Sequence, residues 1–252
     1  MINVSFLKKE IKETYKTPKL IIVLSLFLFF AVLGPLTAKY MNEIISLAAA
    51  DITISFPDPT FMDAWVQFFK NNSSLCLIVF LIIMTGTVSQ EKNKGSIILA
   101  LTKRVSRLNF LLSKLVAGIL LFTVSYIIAF LVSGIYTQIL FGEYFYEGLG
   151  MSLFVTWLMG VFYTSVGIFA SVIGKTPTVS ALFGFVAYAL LNVFNVIDNV
   201  SKFNPGGASS LVNSVMAGTA GMSELWISAI STLIGAMIIF SFSYLIFKKQ
   251  EL

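Results

Sequence analysis

Apolar positions fall into long uninterrupted blocks along this chain, not into the short alternations of half-buried strands. Six blocks contain no Asp, Glu, Lys or Arg: Leu20–Ala38, Asn71–Gln90, Leu115–Gly142, Gly148–Gly174, Thr176–Ile197 and Leu225–Phe247. A helix rising 1.5 Å per residue needs ~20 apolar residues to cross a hydrocarbon core of about 30 Å. Each block therefore suffices for one crossing and none comfortably for two. Only helices and closed barrels satisfy their backbone in lipid, and the alternation of a barrel is missing. The pattern predicts an all-α integral membrane protein, a single domain of six transmembrane helices over about 20–38, 71–90, 115–141, 150–174, 177–197 and 225–247.

The connecting segments carry their own patterns. Over residues 1–18, Val4, Leu7, Ile11 and Tyr15 recur at helical spacing while Lys8, Lys9, Lys12, Glu13 and Lys16 occupy the other faces. This predicts an amphipathic N-terminal helix lying in the membrane interface, its lysines toward anionic headgroups. In the segment 39–70, Thr60–Lys70 reads as a short outer helix whose Phe61, Trp65, Phe68 and Phe69 form a greasy interfacial face. The segment 198–224 is charge-poor but rich in Gly, Ser and Asn, and reads equally as an outer loop or as a short re-entrant segment. In the fourth block Gly160, Thr164, Gly167, Ser171 and Gly174 line up small residues on one face, which admits close approach of another helix.

Charge then sets an orientation. With both ends on one side, fourteen Lys and Arg fall on that side, from Lys8 to Lys19, Lys92 to Lys114, Lys175, Lys248 and Lys249. Only Lys39, Lys70 and Lys202 fall on the other. This bias places both termini in the cytoplasm, and the expected location is the plasma membrane of a bacterial cell. The bias also accounts for the net charge of +5 without nucleic acid. Lys114, near the inner edge of the third block, is expected to snorkel to the headgroups.

Composition narrows the chemistry. The chain of 252 residues is 57% hydrophobic and only 12% charged, which disfavours a water-soluble enzyme. It has no histidine and one cysteine, Cys76, so His-based catalysis, an intramolecular disulfide and a His or Cys metal site are all excluded. No charged residue lies deep in any block, where ion-coupled transporters keep their relays. Gly174-Lys175-Thr176 resembles the end of a phosphate-binding loop, but Phe169 stands where its first glycine belongs and Pro177 follows. The residues point to no catalytic site, no metal and no nucleotide bound by this chain. If it moves a solute, the energy enters from outside the bilayer.

The longest inner connection, 91–113, carries the sharpest signal. Gly95 and Ser96 read as a helix start with Ser96 as the cap; Ile97, Ile98, Leu101 and Val105 give an apolar stripe beside Lys103, Arg104 and Arg107. Such a helix either inserts into a groove on a soluble partner or lies in the interface. The loop resembles the stretch after the second span of ABC type 2 transporter permeases, exporters of drugs, peptides and polysaccharides. Glu91, Gly95, Ser106, Arg107 and Lys114 match that family's pattern, Ser96 replaces its Thr, and Arg104 stands where the family usually has Pro. The span number and the Gly-rich segment between spans five and six are also similar.

The resemblance implies a permease that pairs with a second permease copy or paralogue and binds two copies of a separate ATPase. ATP and Mg would be held by that partner. Glu91, Gly95, Ser96, Ile97, Ile98, Leu101, Ser106, Arg107 and Lys114 would form its coupling region. The expected function is outward movement of a hydrophobic or amphipathic peptide, drug or lipid-like substrate. The alternatives are a gradient-driven transporter or channel, and a membrane scaffold or sensor that binds a soluble partner.

Overall fold

The computed structural model describes residues 4–48, 57–98, 105–195, 197 and 201–250, and among them there is no strand. The helices are α1 (Val4–Lys16), α2 (Pro18–Lys39), α3 (Met41–Ala48), α4 (Phe61–Asn93), α5 (Arg107–Phe141), α6 (Leu149–Ile173), α7 (Pro177–Phe194), α8 (Ala208–Met216) and α9 (Met222–Lys249). Six of them, α2, α4, α5, α6, α7 and α9, are long and apolar enough to cross a membrane. Their ends follow local chemistry. Pro18 and Pro177 open α2 and α7 at positions that need no N–H. Gly142, at φ +80°, closes α5 in the left-handed conformation that glycine adopts at little cost.

Helix α4 corrects one expectation. Thr60–Lys70 is not a separate interfacial helix with an exposed aromatic face. Asp63 accepts the Thr60 N–H at 2.8 Å to start the helix, which runs through a π-helical segment, Asn72–Cys76, into the apolar block. Trp65, Phe68 and Phe69 are buried. The Trp65 indole donates to the Tyr144 carbonyl at 2.6 Å and its ring stacks on Phe130 at 5.9 Å. Periodicity shows that a helix has an apolar face; it does not show whether lipid or another helix covers that face.

Helix α6 sits at the centre and packs against α4, α5, α7 and α9. The contrast with α7 is large: 72% of the most apolar stretch of α6 is buried, against 11% for α7. The small residues of α6 are what permit this. A Cβ on Gly160 would collide with the Phe122 ring of α5, and one on Gly167 with Met84 of α4. Ser171 Oγ accepts the Val88 and Ser89 N–H groups at 2.8 and 2.9 Å. Gly160→Leu is accordingly expected to destabilise the protein by about 1–3 kcal/mol through overpacking, read as a lower melting temperature in detergent. An unchanged melt would mean that the α5–α6 seam yields.

Between α7 and α9 the chain folds back beside the bundle. Pro205 Cγ lies 3.7 Å from the position of a Cβ on Gly235. Gly235 is thirteen residues beyond Met222, hence ~20 Å along α9. The turn at this depth is closed by side-chain amides. Asn204 Nδ2 donates to the Leu191 carbonyl at 2.6 Å, Asn195 Nδ2 to the Gly206 carbonyl at 3.0 Å, and Gly206 N–H to Asn204 Oδ1 at 3.1 Å. Helix α8 then buries Ala208 and Val212 and packs on α4, α6 and α9.

Candidate functional site

The polar residues flagged in the 91–114 stretch gather at one end of the bundle. Glu91 ends the apolar part of α4, and Lys114 lies two turns into α5. Lys114 Nζ is 2.6 Å from Glu91 Oε1 and 3.0 Å from Glu10 Oε2 of α1. The three side chains are 3%, 16% and 7% exposed respectively, so Lys114 does not snorkel; two carboxylates neutralise it in place. Lys9 flanks the group at 3.1 Å from Glu10 Oε1. Phe6 packs at a tilt against Phe110 beside it, and the Lys114 ammonium lies 4.8 Å from the Phe110 ring centroid.

This arrangement docks α1 on α5 through Phe6 and Glu10, a face distinct from the Val4, Leu7, Ile11 and Tyr15 stripe. Val4 and Tyr15 stay exposed, as do Lys8, Lys12 and Lys16. The sequence reading used that stripe and passed over Glu10. Its one legible signal was an acid on a lysine-rich helix, at the flank of the stripe.

Electrostatics make the dock sensitive to acid. Burial works against the Glu10 carboxylate, but Lys114 and then Lys9 outweigh it and hold its carboxyl below the ordinary 4.5. Burial likewise opposes the Lys9 ammonium, and Glu10 beside it raises its pKa overall. A depressed carboxyl contributes stability that is present above the unfolded pKa and is lost as pH falls through the folded one. Amide protection of α1 is therefore expected to persist at pH 4.5 and to fade only in more acidic solution. Hydrogen exchange checks this; loss of α1 protection already above pH 4.5 would contradict it.

The loop itself begins with a turn that requires glycine. Gly95 has φ +68°, and a Cβ there would meet open space, so the constraint is conformational and not steric. A helix follows from residue 96. Ser96 is inside it rather than capping it, and its hydroxyl donates to the Glu91 carbonyl at 3.4 Å. Ile97 is buried and Ile98 is half exposed. Leu101, with Lys103 and Arg104, lies outside the described residues.

Ser106 caps α5, its Oγ accepting the Asn109 N–H at 3.2 Å. Arg107 turns back into the protein. Its Nη1 donates to the carbonyls of Phe247, Lys248 and Gln250 at 2.6, 2.9 and 2.7 Å. A guanidinium there satisfies the orphan carbonyls and complements the negative end of the helix. Phe247 stacks on Phe110 at 5.6 Å, which joins this clasp to the ion pair. Lys92 Nζ and Gln250 Nε2 both donate to the Val172 carbonyl at the end of α6. Between them opens a groove of about 540 Å³ lined by Lys92, Gly95, Ile98, Ile173, Lys175 and Gln250.

Of the small residues in α6, Gly160, Thr164, Gly167 and Ser171 face α4 and α5, and Gly174 packs on Ser180 where α6 turns into α7. The neighbouring Thr176 accepts the Val179 N–H at 3.4 Å as the cap of α7. Gly174-Lys175-Thr176 thus forms a helix–helix corner.

Six apolar helices with a polar, cation-rich end define a multi-pass membrane protein. The family model described as "ABC-2 family transporter protein" matches residues 4–252, and the chain belongs to that family. It is similar to the "Uncharacterized transmembrane protein YxlG" of Bacillus subtilis (strain 168), at 26% identity over 190 residues, or 73% of this chain and 72% of that protein. The protein is thus an ABC transporter permease, a membrane subunit and not itself an ATPase, of a family that normally works with an ATPase subunit.

Proposed function

We propose that this permease is powered through the end of the bundle where Glu10, Glu91, Lys114 and Arg107 gather. That end faces the cytoplasm, in keeping with its share of the lysines and arginines. Two copies of a separate ATPase, holding ATP and Mg, seat on the helix that follows Gly95. A second permease copy or a paralogue completes the transporter, and lipids surround it. Export of a hydrophobic or amphipathic substrate is the direction and class we assign.

One observation carries this reading. Polar contacts around the loop join four spans: Glu91 and Lys114 join α4 to α5, Arg107 joins α5 to α9, and Lys92 joins α4 to α6. A push on the loop therefore moves several spans together, because buried ion pairs and caps resist separation. Open flexible loops would dissipate the same push.

The experiment is co-expression with the genes that flank its own, purification by a tag on this chain with assay of copurifying ATPase activity, and ATP-dependent uptake into inverted vesicles. We expect a copurifying ATPase and uptake that requires ATP. Uphill transport by this chain alone, driven by an ion gradient, would overturn the proposal in favour of a secondary transporter. A bound partner without any transport would make it a scaffold or sensor. Gly95→Pro is expected to reduce ATP-driven uptake by about tenfold or more with normal insertion, because proline cannot adopt the positive φ found there.

A further inference from the structure

The glycines of α5 and α6 fall into two groups. Gly118, Gly160 and Gly167 are closed in, and a Cβ at any of them would collide with Met84 or Phe122. Gly134 and Gly150 are different. A Cβ on Gly150 would meet nothing within 4 Å, and one on Gly134 only the far edge of the Trp65 ring at 3.9 Å. Neither has a positive φ. Close packing does not require glycine at these two positions, nor does the backbone, although Gly134, in the interior of α5, weakens that helix by about 1 kcal/mol relative to alanine. What their bare Cα atoms leave is space.

Gly150 lines an apolar cleft of about 330 Å³ between α5 and α6, with Tyr126, Phe154 and Trp157. Gly134 lines a second of about 480 Å³, which extends to Gln138 and Tyr144. Phe130 borders both, so they form one furrow along α5. The polar tips of Trp157, Tyr126 and Gln138 are already engaged. Trp157 Nε1 donates to Thr123 Oγ1 at 2.9 Å, the Tyr126 hydroxyl to the Leu153 carbonyl at 3.2 Å, and Gln138 Nε2 to the Gly142 carbonyl at 2.6 Å. Among the described residues, those lining the furrow carry no charge. It continues onto the exposed Ile127, Leu131, Ile135 and Ile139, the lipid-facing side of α5.

We propose that this furrow is a resident-lipid site holding one acyl chain of a bilayer phospholipid, taken from the leaflet at the Tyr144 end. Water would find few free polar partners there, and an extended peptide would leave its amides unsatisfied. A second helix is disfavoured by the placement of the glycines. They lie on two different helices and form no small-residue stripe on either. A hydrocarbon chain is narrow, needs no hydrogen bond, and is what the surrounding bilayer supplies.

The test uses the full chain in mild detergent after exhaustive washing, with phospholipid per chain counted by native mass spectrometry. A bound phospholipid is expected in the wild type. In Gly134→Leu/Gly150→Leu its retention falls about tenfold, the effect of excluding roughly two methylenes, with no loss of melting temperature. Gly150→Leu alone, placed in open space, is the fallback should the double variant fold poorly. In a Trp226→Phe background, a brominated-chain phospholipid is expected to quench the two remaining tryptophans, Trp65 beside Gly134 and Trp157 beside Gly150, and to quench them less in the leucine variants. Absence of retained lipid, or equal retention and quenching in the variants, would overturn the proposal. Loss of self-association with unchanged lipid would reassign the furrow to a second copy of the chain.

Discussion

Lys114→Met is expected to destabilise the protein by about 3–5 kcal/mol, the loss typical when one partner of a buried ion pair is removed. The methionine fills nearly the same volume, so little of the effect comes from packing. It comes from two carboxylates, Glu10 and Glu91, left facing each other without the ammonium that lies 3.0 and 2.6 Å from them. A large fall in melting temperature in detergent, with α1 released to proteolysis, is the expected readout. Adding Glu10→Gln and Glu91→Gln to Lys114→Met should recover most of the loss, because the neutral set removes the unpaired charge. A single variant as stable as the wild type, or a triple variant no better than the single, would show that the cluster contributes nothing beyond its packing.

Arg107→Glu has its largest expected effect on activity. With the ATPase partner present, ATP-driven transport should fall by at least about tenfold, while stability drops by only about 1–3 kcal/mol. The guanidinium bonds three carbonyls at the end of α9, and a carboxylate there faces the negative pole of that helix. The loop end and the last span then separate. Arg107→Lys keeps the charge but not the fork, so an intermediate rate is expected. Vesicle uptake measured beside the melting temperature distinguishes the two roles. Normal transport in Arg107→Glu would limit this arginine to capping a helix.

Different parts of this architecture were legible for different reasons. The small-residue face of α6 can be read from spacing alone, since glycine, serine and threonine at steps of three and four mark close approach wherever they occur. Its partners, Phe122 and Met84, cannot, because nothing in a linear pattern says which spans touch. Arg107 stood out as a cation in the right loop, yet its three acceptors lie about 140 residues away at the opposite end of the chain. Glu10 was hidden for the same reason. An acid on a surface helix looks solvated until the helix docks on Lys114. The aromatic run at Phe61–Phe69 misled because amphipathicity reports a face and not its neighbour.

What the sequence determined by itself was everything that depends on transfer from water to lipid. The six crossings and the exclusion of charge from their middles follow from composition along the chain, because burying a charge or an unpaired amide in hydrocarbon is too unfavourable to be offset elsewhere. The tertiary structure alone decided which charges meet, which glycines are packed and which are left open. Those outcomes depend on distances between residues far apart in the chain, set by how one helix surface fits another.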